Sequence, residues 1–529
     1  MPTDCISYQK SGYFSKLIVD YLEEKLELQN TYNRFPRIEN FKDQINEKEA
    51  NYSSQNRSVL VTALKKQYDN IEVSDATKTN IELLNETKTF TVTTGHQLNL
   101  FTGPLYFLYK IVSTITLCKD LKQQYPEKNF VPIYWMATED HDFDEINFFN
   151  FKNKKIKWKT ESNGPVGRLA TNGLQEVLNV FEKELGIGDN AKYLKDLFQK
   201  SYLNHSNLAE ATRFLTNELF GVYGLVLLDG DDLSLKQLFS PFIKEELLHQ
   251  TSFNKVNETN TLLKDYSIQV NPREINLFYI EDNLRERLLF ENNQYKINNS
   301  SIVFSQSEIL ALLEKSPEKF SPNVILRPLY EEVILPNICY IGGAGEIAYW
   351  LQLKSNFEAN NVTFPILLLR NSVLLAKEKQ VHKADNLKLS WADLFSNQQE
   401  LYTKKTQELS AFTLDFSEQK ETLKKQFEKL NLIASQTDKS FIGAVKAQEL
   451  KQIKGLENLE KRLLKAEKRM HSDQLERIIQ LQNELFPNQS LQERSNNFSE
   501  YYNEFGQEFI NKLVAELKPL NPYHTIITL

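Results

Sequence analysis

Three short runs in this chain bring together residue types that do chemistry. The first is Thr94-Gly95-His96-Gln97, with Thr102-Gly103-Pro104 just beyond it. Glycine permits a tight turn, and free main-chain N–H groups at a helix start favour phosphate or carboxylate. His96 and Gln97 add side-chain hydrogen bonds, although a glycine turn with an incidental histidine is the plainer reading. The second run is Glu139-Asp140-His141-Asp142-Phe143-Asp144-Glu145, in which six of seven side chains ionise. Charge runs are commonly solvated loops, but this one directly follows an apolar stretch. Its carboxylates and histidine could supply a general base or hard oxygen ligands. The spacing matches no standard metal motif such as HExxH, and no metal site is expected.

The third run, Gly342-Gly343-Ala344-Gly345-Glu346-Ile347-Ala348, contains GxGxxA, a dinucleotide-binding pattern when it joins a strand to a helix. Two details object. Glu346 would repel a pyrophosphate at the helix start, and Arg370-Asn371 stands where the acidic ribose ligand is expected. The turn suits an amine, a hydroxyl or a neutral ligand group better, with Glu346 as partner. Arg327, in a strand-like run from Val324 to Leu329, could clamp a carboxylate or phosphate through two hydrogen bonds; a structural ion pair is equally open. Arg168 is a looser candidate on a loop. No GxxxxGK[ST] or GxSxG motif occurs, and none of Cys5, Cys118 and Cys339 has a nucleophile's context.

Positioning these runs requires strands that end at them. Thr89 to Thr94 is short and β-branched and runs into Gly95; Pro104 to Gln124 has apolar residues at helical spacing; Phe130 to Ala137 reads as a buried strand ending at the acidic run. Strand, turn, helix and strand make a βαβ unit and imply a parallel sheet. Gly224 to Leu228 reads as another strand, after a helix over Asn207 to Phe220. Ile338 to Ile341 leads through the third run into a helix from Glu346 to Phe357 and a strand from Phe364 to Leu369. Leu277 to Phe304 alternates like short antiparallel strands. After about residue 375, Lys, Glu, Gln and Leu dominate. Leu456, Leu459, Leu463, Ala466 and Met470 step by three and four like a coiled-coil seam, which slips by one residue before Leu475. An antiparallel hairpin with a helix around Thr403 to Leu432 is expected.

Composition bounds the function. Only 17 of 529 residues are glycine and 16 are proline, which excludes collagen-like and turn-dense chains. No glycine occurs from 231 to 341 and three occur after 345, so the glycines of the core concentrate at the runs above. A net charge of -7 gives no global attraction to nucleic acid or anionic membrane. Three scattered cysteines fit a reducing compartment. The opening segment has no apolar signal-peptide core, and the Pro104 to Cys118 stretch, interrupted by Lys110, is too short to cross a bilayer. A cytoplasmic protein is expected.

The segments TTGHQLNLFTGPLYFLYKIVSTITLCKDL, FVPIYWMATEDHDFDEIN and FSPNVILRPLYEEVILPNICYIGGAGEIAYWLQLK, in this order, resemble the bacillithiol biosynthesis family BshC. The resemblance runs from Tyr13 to Leu22 through to the helical tail. It implies an α/β fold: a Rossmann-like parallel-sheet core, akin to class I aminoacyl-tRNA synthetases, with connecting-peptide insertions and an α-helical coiled-coil domain pairing two subunits. The corresponding units here are 1–88, helical and leading into the core; 89–230, the first core part with an insertion near 150–205; 231–320, an insertion; 321–375, the second core part; and 376–529, the coiled coil and tail. The implied reaction joins the carboxyl of L-cysteine to the amine of glucosaminyl-malate, and activation of that carboxyl calls for ATP or another adenine nucleotide. Asp140, His141, Asp142 and Glu346 are the expected catalytic residues. Gly95, His96, Gln97, Thr102, Gly103, Arg327, Gly342, Gly343 and Gly345 are the expected substrate or nucleotide contacts. The family has Gln where this chain has His96, and Pro where it has Ala344. An obligatory imidazole at 96 is therefore not expected, and Gln97 carries more weight. Two alternatives stay open: a coiled-coil assembly protein on a degenerate nucleotide-binding core and, less favoured, an NAD-dependent oxidoreductase.

Overall fold

A parallel sheet of five strands forms the centre of the computed structural model, which describes residues 4–529; the first three residues of the opening unit lie outside it. The strand order is Ile366–Leu369, Asn337–Gly342, Thr89–His96, Asn129–Met136 and Val226–Asp229, and every neighbouring pair is parallel. Its strands are buried almost throughout, as continuous apolar or β-branched runs require when helices cover both faces. The helix Tyr106–Gln124 packs on the two strands it connects. From Thr89–His96 the chain builds outward on one side to residue 229, then returns to build on the other. The order thus reverses between Thr89–His96 and Asn337–Gly342.

Residues 277–304 form antiparallel strands, in a second five-stranded sheet ordered 303–304, 294–297, 284–291, 277–281 and 320–322. A third, three-stranded sheet places Tyr523–Thr528 between Asp4–Ser7 and Val373–Ala376. Strands at the two ends of the chain were not evident from sequence, because each is too short to establish a period.

Three local expectations are corrected. The Val324 to Leu329 run is a turn entering the helix Arg327–Ile334, not a strand. Asn323 Oδ1 accepts from the N–H groups of Ile325 and Leu326 at 2.9 and 3.4 Å, and Pro328 in the first turn has the φ a helix needs. The single helix from Glu346 to Phe357 is two, Ala344–Trp350 and Lys354–Ala359. The hairpin partner begins later than Thr403: Gln398–Leu409 is a separate helix, and Ser417–Ala434 pairs with Lys439–Met470. That pairing is antiparallel. Lys420 salt-bridges Glu460, Asn431 reaches Glu449 at 3.4 Å, and Phe427, Ala434 and Val445 pack together. The slip in the seam is a helix break at His471, after which Ile478, Leu481 and Leu485 pack with Leu374, Val381 and Leu401 instead.

Candidate functional site

Where the strand order reverses, the carboxyl ends of Thr89–His96 and Asn337–Gly342 diverge and leave a crevice, the position at which open α/β sheets bind ligands. The cavity there holds about 320 Å³, at the small end of ligand pockets. On one wall, Glu346 is fixed by three donors. The Tyr340 hydroxyl donates to Oε1 at 2.8 Å, the Gly343 N–H donates to Oε2 at 2.7 Å, and Lys110 forms an ion pair with the same oxygen. Lys110, with 3% of its side chain exposed, also donates to the Gly95 carbonyl at 2.7 Å. One ammonium thus ties the first run to the third. Burial pushes that ammonium below its ordinary pKa, with Glu346 opposing. Gly95 has a steric reason to be glycine, since a Cβ there would stand 3.2 Å from the Tyr340 hydroxyl.

On the other wall, Arg327 donates to Asp140 Oδ1 at 2.5 Å. Burial raises the Asp140 pKa, but Arg327 and Arg285 outweigh it and hold the carboxyl below its ordinary range. The remainder of the acidic run diverges. Glu139 turns inward onto the buried ammonium of Lys236. Arg285, stacked 3.9 Å from the Phe278 ring centre, donates to His141 Nδ1 at 2.6 Å. His141 and Asp142 line a separate open hollow with Asp144 and Trp158.

Of the residues expected from sequence, Gly95, His96, Gln97, Asp140, Arg327 and Glu346 meet at the cavity. His96 packs between Tyr106 and Phe107, with ring centres 5.4 and 5.1 Å away. Burial, with Lys110 and Arg370 nearby, holds it neutral, its pKa well below the ordinary value. Gln97 donates to Glu145 Oε2 at 3.0 Å, tethering the far end of the acidic run. His141 and Asp142 belong to the neighbouring hollow. Thr102 and Gly103 lie outside the cavity in a positive-φ turn, where Asn497 donates to the carbonyls of Phe101 and Gly103 at 2.8 and 2.6 Å. Gly342 and Gly343 form the turn behind Glu346, and Gly345 lies in the first turn of the helix Ala344–Trp350, so none of the three lines the cavity. A Cβ on Gly342 would come within 3.0 Å of Glu346 Cβ and Tyr340 Cε1. Arg168 makes a structural fork on Asp231, at 2.8 and 2.9 Å. Arg370 is held by Glu493 at 2.8 Å and lies over the Tyr106 ring.

Among the cavity residues not expected from sequence are Lys110, Glu331 and Tyr340, the three with the most direct part in its polar chemistry. Lys110 had a signal, a lone charge inside an otherwise apolar helical run. Glu331 had a weaker one, two consecutive glutamates within LRPLYEEVIL. Tyr340 had none, because a tyrosine in an apolar strand reads as core. The geometry also speaks against a dinucleotide at GxGxxA, since Glu346 already takes the Gly343 N–H that a phosphate would use. Among the described residues no group of three or more His, Cys, Asp or Glu is placed to hold a metal ion, and no helix is long and apolar enough to cross a membrane.

Comparison with known proteins agrees over the whole chain. Residues 1–371 match the bacillithiol biosynthesis BshC N-terminal Rossmann-like domain, and residues 373–529 match the BshC C-terminal coiled-coil domain. Relatives named "Putative cysteine ligase BshC" include those of Flavobacterium johnsoniae, 64% identical over 100% of both chains, and Flavobacterium psychrophilum, 66% identical over 100% of this chain and 99% of its own. That of Christiangramia forsetii is 55% identical over 100% and 99%. A solved structure described as an arginyl tRNA synthetase candidate from Campylobacter jejuni overlaps at a TM-score of 0.23 and 10% identity, covering 87% of this chain and 95% of that one, a likeness too slight to carry an argument. With both of its domains matched and full-length relatives at this identity, the chain belongs to the bacillithiol biosynthesis BshC family.

Proposed function

We propose that the chain is a carbon–nitrogen ligase that joins the carboxyl of L-cysteine to the amine of glucosaminyl-malate to form bacillithiol. The observation that carries this reading is the pair of ion pairs facing one another across the cleft, Lys110–Glu346 and Arg327–Asp140. A ligase must hold an acid and an amine together, and these two ion pairs fix charged groups of both signs on facing walls of one cleft. Arg327 receives the carboxylate or the phosphate that activates it. Amide formation needs that activation, and an adenine nucleotide is the proposed phosphate donor. Its reacting phosphate would approach Arg327 and not the GxGxxA turn, where Glu346 repels it. The relatives' shared name supports the ligase class.

In the same reading the enzyme works in the cytoplasm as a homodimer paired through the helical hairpin, without nucleic acid. Apolar side chains left exposed along the hairpin, Ile433, Phe441 and Leu459 among them, support the pairing. They also favour a second reading, an assembly protein whose partner does the chemistry. Purified protein incubated with cysteine, glucosaminyl-malate and ATP, with other adenine nucleotides and divalent ions varied, should yield bacillithiol by mass. D140A and E346A should each lower the rate at least about 100-fold, and H141A, in the neighbouring hollow, by less than about 10-fold. Product formation that survives both cleft substitutions would favour the assembly reading.

A further inference from the structure

Adjacent glutamates on the helix Arg327–Ile334 have opposite fates. Glu332 is fully partnered, accepting from Asn337 Nδ2 at 2.5 Å and from Lys48 Nζ at 2.9 Å. Glu331 is as deeply buried, at 3% exposure, yet its Oε1 has no hydrogen-bond partner among the described residues. A buried polar oxygen left unpaired is destabilising, so its persistence calls for an explanation. Glu331 lines the cleft four residues after Arg327, on the same helix face. The other two carboxylates there are committed: Asp140 to Arg327, and both oxygens of Glu346 to Tyr340, Gly343 and Lys110. Lys110 and Arg327 balance Asp140 and Glu346, so an ionised Glu331 leaves the cleft one positive charge short.

We propose that Glu331 is the amine-binding base of the cleft, its Oε1 receiving the substrate's ammonium group and taking a proton from that nitrogen before attack. This assignment rests on the ligase reading above. The freed lone pair forms the C–N bond at the phosphate-activated carboxyl carbon. The C–O bond to phosphate breaks, its electron pair leaves with the phosphate, and a second nitrogen proton goes to a phosphate oxygen. The surroundings suit the role. Burial, then Glu332 on its own helix and Glu346 on the next, hold the Glu331 carboxyl well above its ordinary pKa; Arg327 and Lys48 oppose them only in part. Lys110, Tyr340 and Tyr349 are the other ionisable groups that sense it. In this assignment the empty cleft holds Glu331 protonated, because Lys110 and Arg327 are already balanced by Glu346 and Asp140. An arriving ammonium supplies the missing charge and displaces that proton, leaving a carboxylate poised to take one back from nitrogen.

The test is E331Q, nearly isosteric and checked for folding by its melting curve, with E332Q as a neighbouring control. Calorimetric titration with glucosaminyl-malate near neutral pH, in buffers of different ionisation enthalpy, should show the wild type releasing close to one proton per amine bound. E331Q should release almost none and bind the amine about 10-fold or more weakly, with cysteine binding unchanged. Turnover should fall at least about 100-fold in E331Q and lose the acid limb of its pH profile, whereas E332Q should keep the wild-type profile. Wild-type amine affinity and proton release in E331Q would overturn the assignment whether or not turnover is seen. Absence of amide from the wild type under every nucleotide condition would instead refute the ligase reading.

Discussion

Lys110 carries a charge into a helix turn whose flanking residues, Phe107, Leu108, Tyr109, Ile111 and Val112, are all buried in the core. Its ammonium is tolerated because Glu346 and the Gly95 carbonyl receive it. Removing one member of a buried pair leaves the other charge uncompensated, which costs about 3–5 kcal/mol when both are fully buried. Glu346 is 25% exposed, so K110M should cost less, about 2–4 kcal/mol. E346Q should be milder, and the K110M/E346Q double variant should recover at least half of the K110M loss, because the pair is removed together. Chemical denaturation of the four proteins measures this; strictly additive losses would show that the two charges are not coupled. This pair also marks how far single residues were legible in the sequence. Gly95, Asp140, Arg327 and Glu346 stood beside turns at strand or helix ends, and sequence order locates such ends. Glu331 and Tyr340 lie inside elements, and which way an interior side chain points depends on packing that no local pattern encodes. Misplacement had the same origin. His141 follows Asp140 directly, yet the turn sends it towards Arg285 and away from the cleft.

At the scale of elements, the strand Tyr523–Thr528 ties the last residues of the chain to both Asp4–Ser7 and Val373–Ala376. It brings His524 into a pocket against Phe395, ring centres 4.8 Å apart, where neither ring nitrogen finds a hydrogen-bond partner. Burial is the main cause of the depressed pKa of His524, about 4, with Glu493 opposing and Arg370 reinforcing. A histidine whose folded pKa lies below its unfolded one contributes fully above about pH 6.5. That contribution is lost as pH falls towards 4, because only the unfolded chain takes up the proton. H524F removes this one group while keeping an aromatic ring. Between pH 6.5 and about 4 the wild type should lose stability faster than H524F by about 1.4 kcal/mol per pH unit, as read from urea midpoints. Equal slopes would mean that His524 is not held neutral. Longer elements were legible because they repeat a period: the parallel strands as unbroken apolar runs, the hairpin as spacing by three and four. The strands at the chain's ends, at four and six residues, were not.

At the scale of the whole molecule, the residues that line the cleft lie between Gly95 and Trp350, whereas a run of exposed apolar side chains lies far along the chain on the hairpin. Phe441 and Leu459 are 48% and 52% exposed and are separated by 18 residues, five turns of a helix, so they share one face of Lys439–Met470. Leu459 belongs to the seam read from sequence, and the hairpin partner Ser417–Ala434 does not cover it. A second copy of the hairpin would. Burying the exposed half of such a side chain contributes about 0.7–1.5 kcal/mol, and a symmetric pair buries each position twice. F441E/L459E should therefore weaken the proposed homodimer by at least about 3 kcal/mol, more than a hundredfold in Kd. Light scattering should then give the mass of one chain where the wild type gives two. Because no cleft residue lies on the hairpin, the separated chains should keep their amide-forming rate within about twofold per chain. Loss of that rate together with the dimer would mean that one subunit completes the other's cleft, and an unchanged dimer would place the subunit contact elsewhere on the molecule.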